Sequence, residues 1–83
     1  MTKYNLASKL SVQIGDLLVV NSQTGRGVEA VSIIEAKEDQ ISARAKWGFA
    51  CESYDNAVVL KQDGTYLLGK NIAAWLESSQ RMR

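Results

Sequence analysis

The sequence contains no histidine, and this removes the most common general base from any catalytic scheme. It also removes the usual partner of a nucleophilic serine or cysteine, and it excludes metal sites built on imidazole. Asp16, Asp55 and Asp63 stand beside Gly, Asn and Gly, where aspartate serves turns rather than paired-carboxylate catalysis. We therefore expect no enzyme activity, no catalytic residues, no metal and no cofactor.

Cysteine occurs once, at Cys51, so the chain can form neither an internal disulfide nor a cysteine-only zinc site. A reducing compartment is the simplest context for such a chain. Because Cys51 ends the apolar stretch 48–51, we predict a buried structural thiol. No stretch approaches the ~20 apolar residues that span a bilayer, and the first residues lack the apolar run of a signal peptide. The expected location is cytoplasmic, without membrane contact.

Neither sign of charge dominates, since ten basic and nine acidic side chains give a net charge of +1. A general nucleic-acid binder usually carries a strong basic excess, and a protein that imitates DNA needs an acidic one. A local basic patch is compatible with this balance. The 83 residues are enough for one domain, 1–83. Its core must be thin, so that a partner or a second copy would add stability.

Short apolar runs between turn residues predict a mostly β domain. Gln40 to Lys46 alternates most clearly, with Ile41 and Ala43 on one face and Arg44 on the other. A helix over 28–37 competes with the second strand, whose alternation slips at Ile33-Ile34 and indicates a bulge. Residues 47–51 either continue the third strand or turn at Gly48. The predicted strands lie at 17–20, 28–35, 40–46, 57–62 and 65–69.

The strongest local signal is Asp63-Gly64 between two apolar runs, which predicts a tight hairpin with positive φ at both central residues. A C-terminal helix is predicted over 71–80, with Asn71 as its N-cap. Its apolar stripe includes Trp75 and is expected to cover an open side of the sheet. Residues 1–11 form either a helical turn or an arm that folds over the core.

This succession resembles the SH3-like barrels, among them small accessory proteins of bacteriophages. The residues that carry the resemblance are Gly15-Asp16 before the first strand, the strands at 31–34 and 40–43, and the Asp63-Gly64 hairpin. It spans about residues 12–69 and implies a five-stranded antiparallel barrel or bent sheet followed by the short helix. The chain lacks proline and the acidic and aromatic peptide-binding signature of eukaryotic SH3 domains. Binding of proline-rich peptides is therefore not implied.

The candidate contact residues are Arg44, Lys46, Trp47 and Phe49, together with Arg26 in the polar loop 21–27. Aromatic rings beside basic groups stack on nucleobases while the charges hold phosphates. The same residue types anchor protein interfaces. A third interpretation places the two aromatic residues in the core, with the two basic residues on a solvated face. Arg26 either contacts a partner or belongs to a plain connector.

The function expected from these patterns is that of a small non-catalytic protein-binding module. The resemblance implies a phage-encoded inhibitor or adaptor that acts on a host protein in the host cytoplasm. One alternative is an SH3-like nucleic-acid-binding domain. Another is a self-associating structural subunit, which the thin core and a free hairpin edge favour.

Overall fold

A computed structural model describes residues 5–22, 25 and 27–81, in which seven strands form one sheet and a helix follows the last strand. The strand order in the sheet is β1-β7-β6-β2-β3-β4-β5. Every neighbouring pair is antiparallel except β1 with β7, which is parallel. The elements are β1 (Asn5–Leu6), β2 (Leu17–Asn21), β3 (Val28–Ala36), β4 (Gln40–Ala45), β5 (Gly48–Ser53), a 3-10 turn (Tyr54–Asn56), β6 (Val58–Leu60), β7 (Tyr66–Leu68) and α1 (Lys70–Arg81).

The prediction of a mostly β chain with a short C-terminal helix is confirmed, but the count of five strands is wrong. A turn at residues 46–47 reverses the chain so that Gly48 pairs with Ala45, which makes β5 a separate strand. Gly48 has a φ of +139°, a conformation that favours glycine. In the described part of the chain the sheet is open, with β1 and β5 at its ends, rather than closed into a barrel.

Residues 1–4 of the predicted arm or helical turn lie outside the described part of the chain. In the rest of the segment a short strand is followed by a single turn, in which the Ser11 and Val12 N–H groups donate to the Ser8 carbonyl at 3.1 and 3.0 Å. Asn5 and Leu6 pair with Leu67 and Leu68 and supply β1. The arm then turns and buries Val12 in the core. The first and last of the described strands are therefore neighbours in the sheet.

Strand β3 confirms the strand interpretation of this segment and the predicted bulge. Its pairing with β4 shifts between Ile33 and Glu35, so Ile34 is the extra residue. Val31 and Ile33 point into the core before the bulge, and Ile34 is exposed. The bulge therefore changes which side chains of the strand face inward after this point.

The Asp63-Gly64 hairpin is confirmed, but its turn differs from the predicted one. Only Gly64 has a positive φ, +89°, whereas Asp63 does not. The Lys61 N–H donates to the Thr65 carbonyl at 2.8 Å, and the Gly64 N–H donates to the Lys61 carbonyl at 3.0 Å. This is a three-residue loop with glycine in its left-handed position. Asp63 accepts hydrogen bonds from the Thr65 hydroxyl and N–H, which lower the pKa of its carboxyl.

The core lies on one face of the sheet and consists of aliphatic side chains and alanines. Leu18, Ile33, Ile41 and Val59 are its largest fully buried side chains. Its further members are Val12, Val31, Ala43, Ala57 and Leu67. Such a small set of aliphatic side chains agrees with the thin core expected for a chain of this length.

Helix α1 differs from its prediction in three respects. It begins at Lys70, so Asn71 lies within the first turn and is not the N-cap; its side chain donates to the Asn56 side chain at 2.8 Å. The helix packs against the 3-10 turn rather than over the sheet. Its small residue Ala73 faces inward. Trp75, which was expected to lie on the face that covers the sheet, is 66% exposed and does not join the core.

A buried ion pair joins the N-terminal arm to the last hairpin. The Lys61 ammonium donates to Asp16 Oδ2 at 2.7 Å and to the carbonyl oxygen of Ser11 at 2.6 Å. Asp16 Oδ2 also accepts the Gln13 N–H at 2.9 Å, as expected for a turn aspartate. The Asp16 side chain is only 1% exposed, and its Oδ1 has no hydrogen-bond partner. Asp16 therefore depends on Lys61 for its charge compensation.

Tyr54 in the 3-10 turn gives the fold a measurable dependence on alkaline pH. Its hydroxyl donates to the Lys37 carbonyl, and burial raises its pKa above the usual 10.0. The folded state holds this proton more tightly than the unfolded chain. The stabilisation is therefore complete below about pH 10 and is lost as the pH rises through the folded-state pKa.

We expect the urea midpoint of the wild type to fall more steeply above about pH 10 than that of Tyr54→Phe, which cannot ionise at this position. At neutral pH the variant should lose about 1 kcal/mol, the contribution of one hydrogen bond. Parallel pH profiles of the two proteins would contradict the assignment. Other groups that titrate in this range are common to both proteins, so they affect the two pH profiles equally.

Candidate functional site

Among the predicted contact residues, the exposed position of Arg44 on β4 agrees most closely with the sequence prediction. The predicted alternation of this strand is confirmed in part: Ile41 and Ala43 are fully buried and Arg44 is exposed, but Ser42, on the same face as Arg44, is also buried. The Arg44 guanidinium carbon lies 6.0 Å from the centroid of the Phe49 ring on the neighbouring strand. A guanidinium at this distance from a ring face makes a cation–π contact. Arg44 and Phe49 therefore form a contiguous cationic and aromatic surface.

Phe49 lies on the outside of the sheet, and the interpretation that placed it in the core is wrong. Its side chain is 66% exposed. Because β5 alternates, Phe49 and Cys51 point outward, whereas Ala50 is half-buried against the core. Cys51 is correspondingly exposed, which contradicts the predicted buried thiol; its sulfur lies 3.7 Å from the Ser42 hydroxyl oxygen. The apolar run 48–51 thus places its two largest side chains in solvent.

Trp47 lies in the turn between β4 and β5 and is 40% exposed, so it is not a core residue either. Its indole Nε1–H donates to Glu29 Oε1 at 2.7 Å. Glu29 belongs to β3, so this hydrogen bond folds the turn back across the sheet. Lys46, the other residue of the turn, is exposed. Arg26, the remaining predicted contact residue, lies outside the described residues.

The site extends much farther across the sheet than the sequence indicated. Cross-strand partners continue from Arg44 and Phe49 through Ser32 on β3 to residues on β2, β6 and β7. Directly paired residues place their side chains on the same face of a sheet. We call this line of side chains the outer row, and its members are Phe49, Arg44, Ser32, Leu17, Leu60 and Tyr66.

The outer row is apolar at both ends and polar near its middle. Phe49 and Tyr66 are 66% and 49% exposed, and Leu17 and Leu60 are half-buried. Local alternation predicted the outward direction of Arg44, but nothing local predicted that Leu17 and Leu60 stand beside each other. Their proximity depends on the pairing of β2 with β6, which are far apart in sequence.

Two open grooves, each of about 420 Å³, lie along the outer row. One contains Ser32 and Arg44, and its wall is formed by Trp47 and Glu29. The other lies between Leu17 and Leu60 and reaches the last hairpin. Both grooves are open to solvent. The first is lined by Glu29, Arg44 and Lys46 as well as by apolar side chains, and the second has Lys61 and Gln62 beside its two leucines.

Acidic side chains accompany the basic ones at this surface. Glu29 is hydrogen-bonded to Trp47 beside Arg44 and Lys46. Glu35 shares the outer face through its pairing with Ser42. The local charge is therefore mixed, in agreement with the balanced charge of the whole chain. Among residues 5–22, 25 and 27–81, no group of three or more potential metal-ligating side chains comes together.

Comparison with known proteins finds no matching family model, no similar curated protein and no similar solved structure. Within the described chain, α1 lacks the length and apolar character needed to cross a membrane, and it is the only α-helix described.

Proposed function

We propose that this chain is a non-catalytic protein-binding module whose contact surface is the β4–β5 end of the outer row together with Trp47. The observation that carries the proposal is the exposed pair formed by Phe49 and Arg44. Aromatic residues and arginine contribute most of the binding energy at protein interfaces. Leaving a phenylalanine side chain in water forgoes about 1.5 to 3 kcal/mol of burial energy. A bound partner would recover part of it.

Two further observations favour a protein over a nucleic acid as the partner. The basic residues Arg44 and Lys46 share their surface with Glu29, so the local field is not the basic patch that phosphates require. The groove between Leu17 and Leu60 exposes mainly apolar atoms, which suit side chains better than phosphates. The resemblance to small bacteriophage accessory proteins makes a cytoplasmic host protein the partner class that we propose.

The proposal also includes the SH3-like architecture. The adjacent antiparallel strands β6-β2-β3-β4-β5 support it, since they cover most of the segment that carries the resemblance. The arm strand β1 and hairpin strand β7 extend this five-stranded unit. Under this proposal the outer row lies on the convex side of a strongly bent sheet.

Phe49→Ser should weaken capture of the cellular partner, whereas Trp75→Ser should not. Both side chains are 66% exposed, but Trp75 lies on α1 outside the outer row. Loss of an interface anchor costs about 2 kcal/mol, or ~30-fold in Kd. The measurement is quantitative mass spectrometry of proteins retained from native lysate by the wild type and each variant. A retained set that does not differ between wild type and Phe49→Ser would contradict the proposal.

Nucleic-acid binding is the second candidate, because Arg44 over Phe49 resembles a stacking platform with a charge beside it. It predicts salt-sensitive binding of mixed-sequence single- or double-stranded oligonucleotides, lost in the double variant Arg44→Glu, Lys46→Glu. Titration at two salt concentrations measures this directly. Absence of binding at low salt would remove this candidate and leave the protein-binding proposal in place.

A further inference from the structure

The outer edge of strand β5 is free to pair with a strand of another molecule. Within the described chain, β5 ends the sheet and pairs only with β4. Its six residues pair with β4 without a break, so no bulge interrupts the strand. Residues 48–51 contain neither a charge nor a proline. Exposed edges usually carry such features because they prevent pairing with another chain. The edge of β5 is thus unprotected over most of its length.

The backbone groups of β5 that face this edge can be identified. In an antiparallel pair, alternate residues direct their N–H and C=O groups away from the partner strand. The Ser53 N–H donates to the Glu52 side chain at 3.0 Å, so it is not directed at β4. By alternation, Phe49 and Cys51 also direct their backbone groups outward. The edge therefore offers free N–H and C=O groups at Phe49 and Cys51, at the spacing that another strand requires, whereas the Ser53 N–H is already occupied by the Glu52 carboxylate.

We propose that β5 pairs antiparallel with β5 of a second copy of this chain, about a two-fold axis at Ala50. The inference goes beyond the proposed function, since it assigns the edge of β5, beside the proposed contact surface, to a second copy of the chain. In this register Phe49 stands opposite Cys51 of the second copy, so two exposed apolar side chains cover each other. Ala50 faces its own counterpart, where two small side chains meet without collision.

The charges at the two ends of β5 favour a reversed copy of the same strand. Lys46 lies just before the strand and Glu52 near its end. Antiparallel pairing about Ala50 places Gly48 opposite Glu52 of the second copy. Lys46, in the turn just before β5, then lies at the same end of the paired edge as that glutamate, so opposite charges face each other there. Two-fold symmetry repeats this arrangement at the other end, so the strand is complementary in charge to itself.

Sedimentation velocity of the full chain over a wide range of concentration tests the dimer. We expect the wild type and Cys51→Ser to associate, and Cys51→Lys to remain monomeric because its charge lies in the middle of the paired edge. Position 51 is exposed, so these variants should keep the fold, which circular dichroism checks. A wild type that sediments as a monomer at the highest concentration overturns the inference.

Charge exchange tests the symmetry. Lys46→Glu and Glu52→Lys should each weaken dimerisation about tenfold, because each places like charges at both ends of the paired edge in place of opposite ones. The double variant Lys46→Glu, Glu52→Lys should recover most of the wild-type affinity. Single variants that dimerise as strongly as the wild type, or a double variant that remains as weak as the single ones, would overturn the antiparallel arrangement.

Cross-linking tests the register. The thiol introduced by F49C would face the Cys51 thiol of the second copy, at the ~5.5 Å Cα separation of a directly opposed pair, which suits a disulfide. We expect mild oxidation to give a covalent dimer for F49C and much less for Leu10→Cys, whose position is 94% exposed but outside β5. Equal yields from the two variants would overturn the register.

The dimer and the proposed function fail in different ways. A monomeric wild type whose capture of a cellular protein still depends on Phe49 overturns the dimer and supports the proposed function. A dimer combined with capture that does not respond to Phe49→Ser does the reverse. If a foreign strand rather than a second copy occupies the edge, Cys51→Lys should abolish capture while the free protein stays monomeric, and this result also overturns the dimer.

Discussion

Lys61→Met is expected to lower the free energy of unfolding by about 3 to 5 kcal/mol, the usual cost of removing one partner of a buried ion pair. The reason is that the Asp16 side chain is only 1% exposed and that its Oδ2 accepts a hydrogen bond from the Lys61 ammonium at 2.7 Å. Methionine fills the volume of the lysine stem but leaves the carboxylate without an opposite charge. For a domain with a total stability of about 5 to 15 kcal/mol, this loss is large.

The double variant Asp16→Asn, Lys61→Met provides the control, since it removes both charges. We expect it to be more stable than Lys61→Met alone, because an amide is less costly to bury than an unpaired carboxylate. Urea denaturation of the wild type, the single variants Lys61→Met and Asp16→Asn, and the double variant gives the coupling free energy between the two side chains. A loss below 1 kcal/mol for Lys61→Met would show that water already compensates the charge of Asp16.

Gly69→Ala is expected to cost about 2 to 3 kcal/mol through a steric collision. Gly69 joins β7 to α1 and donates its N–H to the Ala57 carbonyl at 2.8 Å. A β-carbon at this position would fall on the backbone carbonyl groups of Tyr54 and Asp55. Because backbone atoms cannot rotate away as a side chain can, the 3-10 turn and the start of α1 would have to separate.

Gly64→Ala is the matched control for this substitution. Gly64 has a positive φ of +89°, but a β-carbon there meets no atom within 4 Å. Its replacement should cost only the backbone strain of a left-handed alanine, about 1 to 2 kcal/mol. Thermal unfolding of both variants makes the comparison. If Gly69→Ala is the more stable of the two, the 3-10 turn moves aside easily and the proposed collision is absent.

The parts of the fold that the sequence predicted are those encoded by neighbouring residues. Alternation identified the buried face of β4, the Ile33-Ile34 slip located the bulge, and Asp63-Gly64 located the last hairpin. Each signal acts within a few residues, where pleating and turn chemistry decide the conformation. The helix was also found, since Ile72 and Leu76 recur at helical spacing and face inward.

The errors share a different cause, which is dependence on distant pairing. The run 48–51 is apolar enough for a core strand, but the turn at 46–47 makes it an edge strand and leaves Phe49 and Cys51 outside. Trp75 was placed in the core on helical spacing alone, whereas α1 needs only a narrow inward face against the 3-10 turn. The outer row could not be predicted because Leu17 and Leu60 meet only through the pairing of β2 with β6.

The order in which the strands pair has a consequence for how the chain folds. Strands β2 to β5 are joined in sequence order by short connections, so each can pair with its predecessor as a local hairpin. The pairs β2–β6 and β1–β7 instead close long loops, which costs more entropy before any contact is gained. During synthesis on the ribosome, β1 and the edge of β2 that pairs with β6 therefore remain unpaired until residues 58–68 have emerged. We expect the hairpin that contains Asp63-Gly64 to complete the sheet rather than to nucleate it.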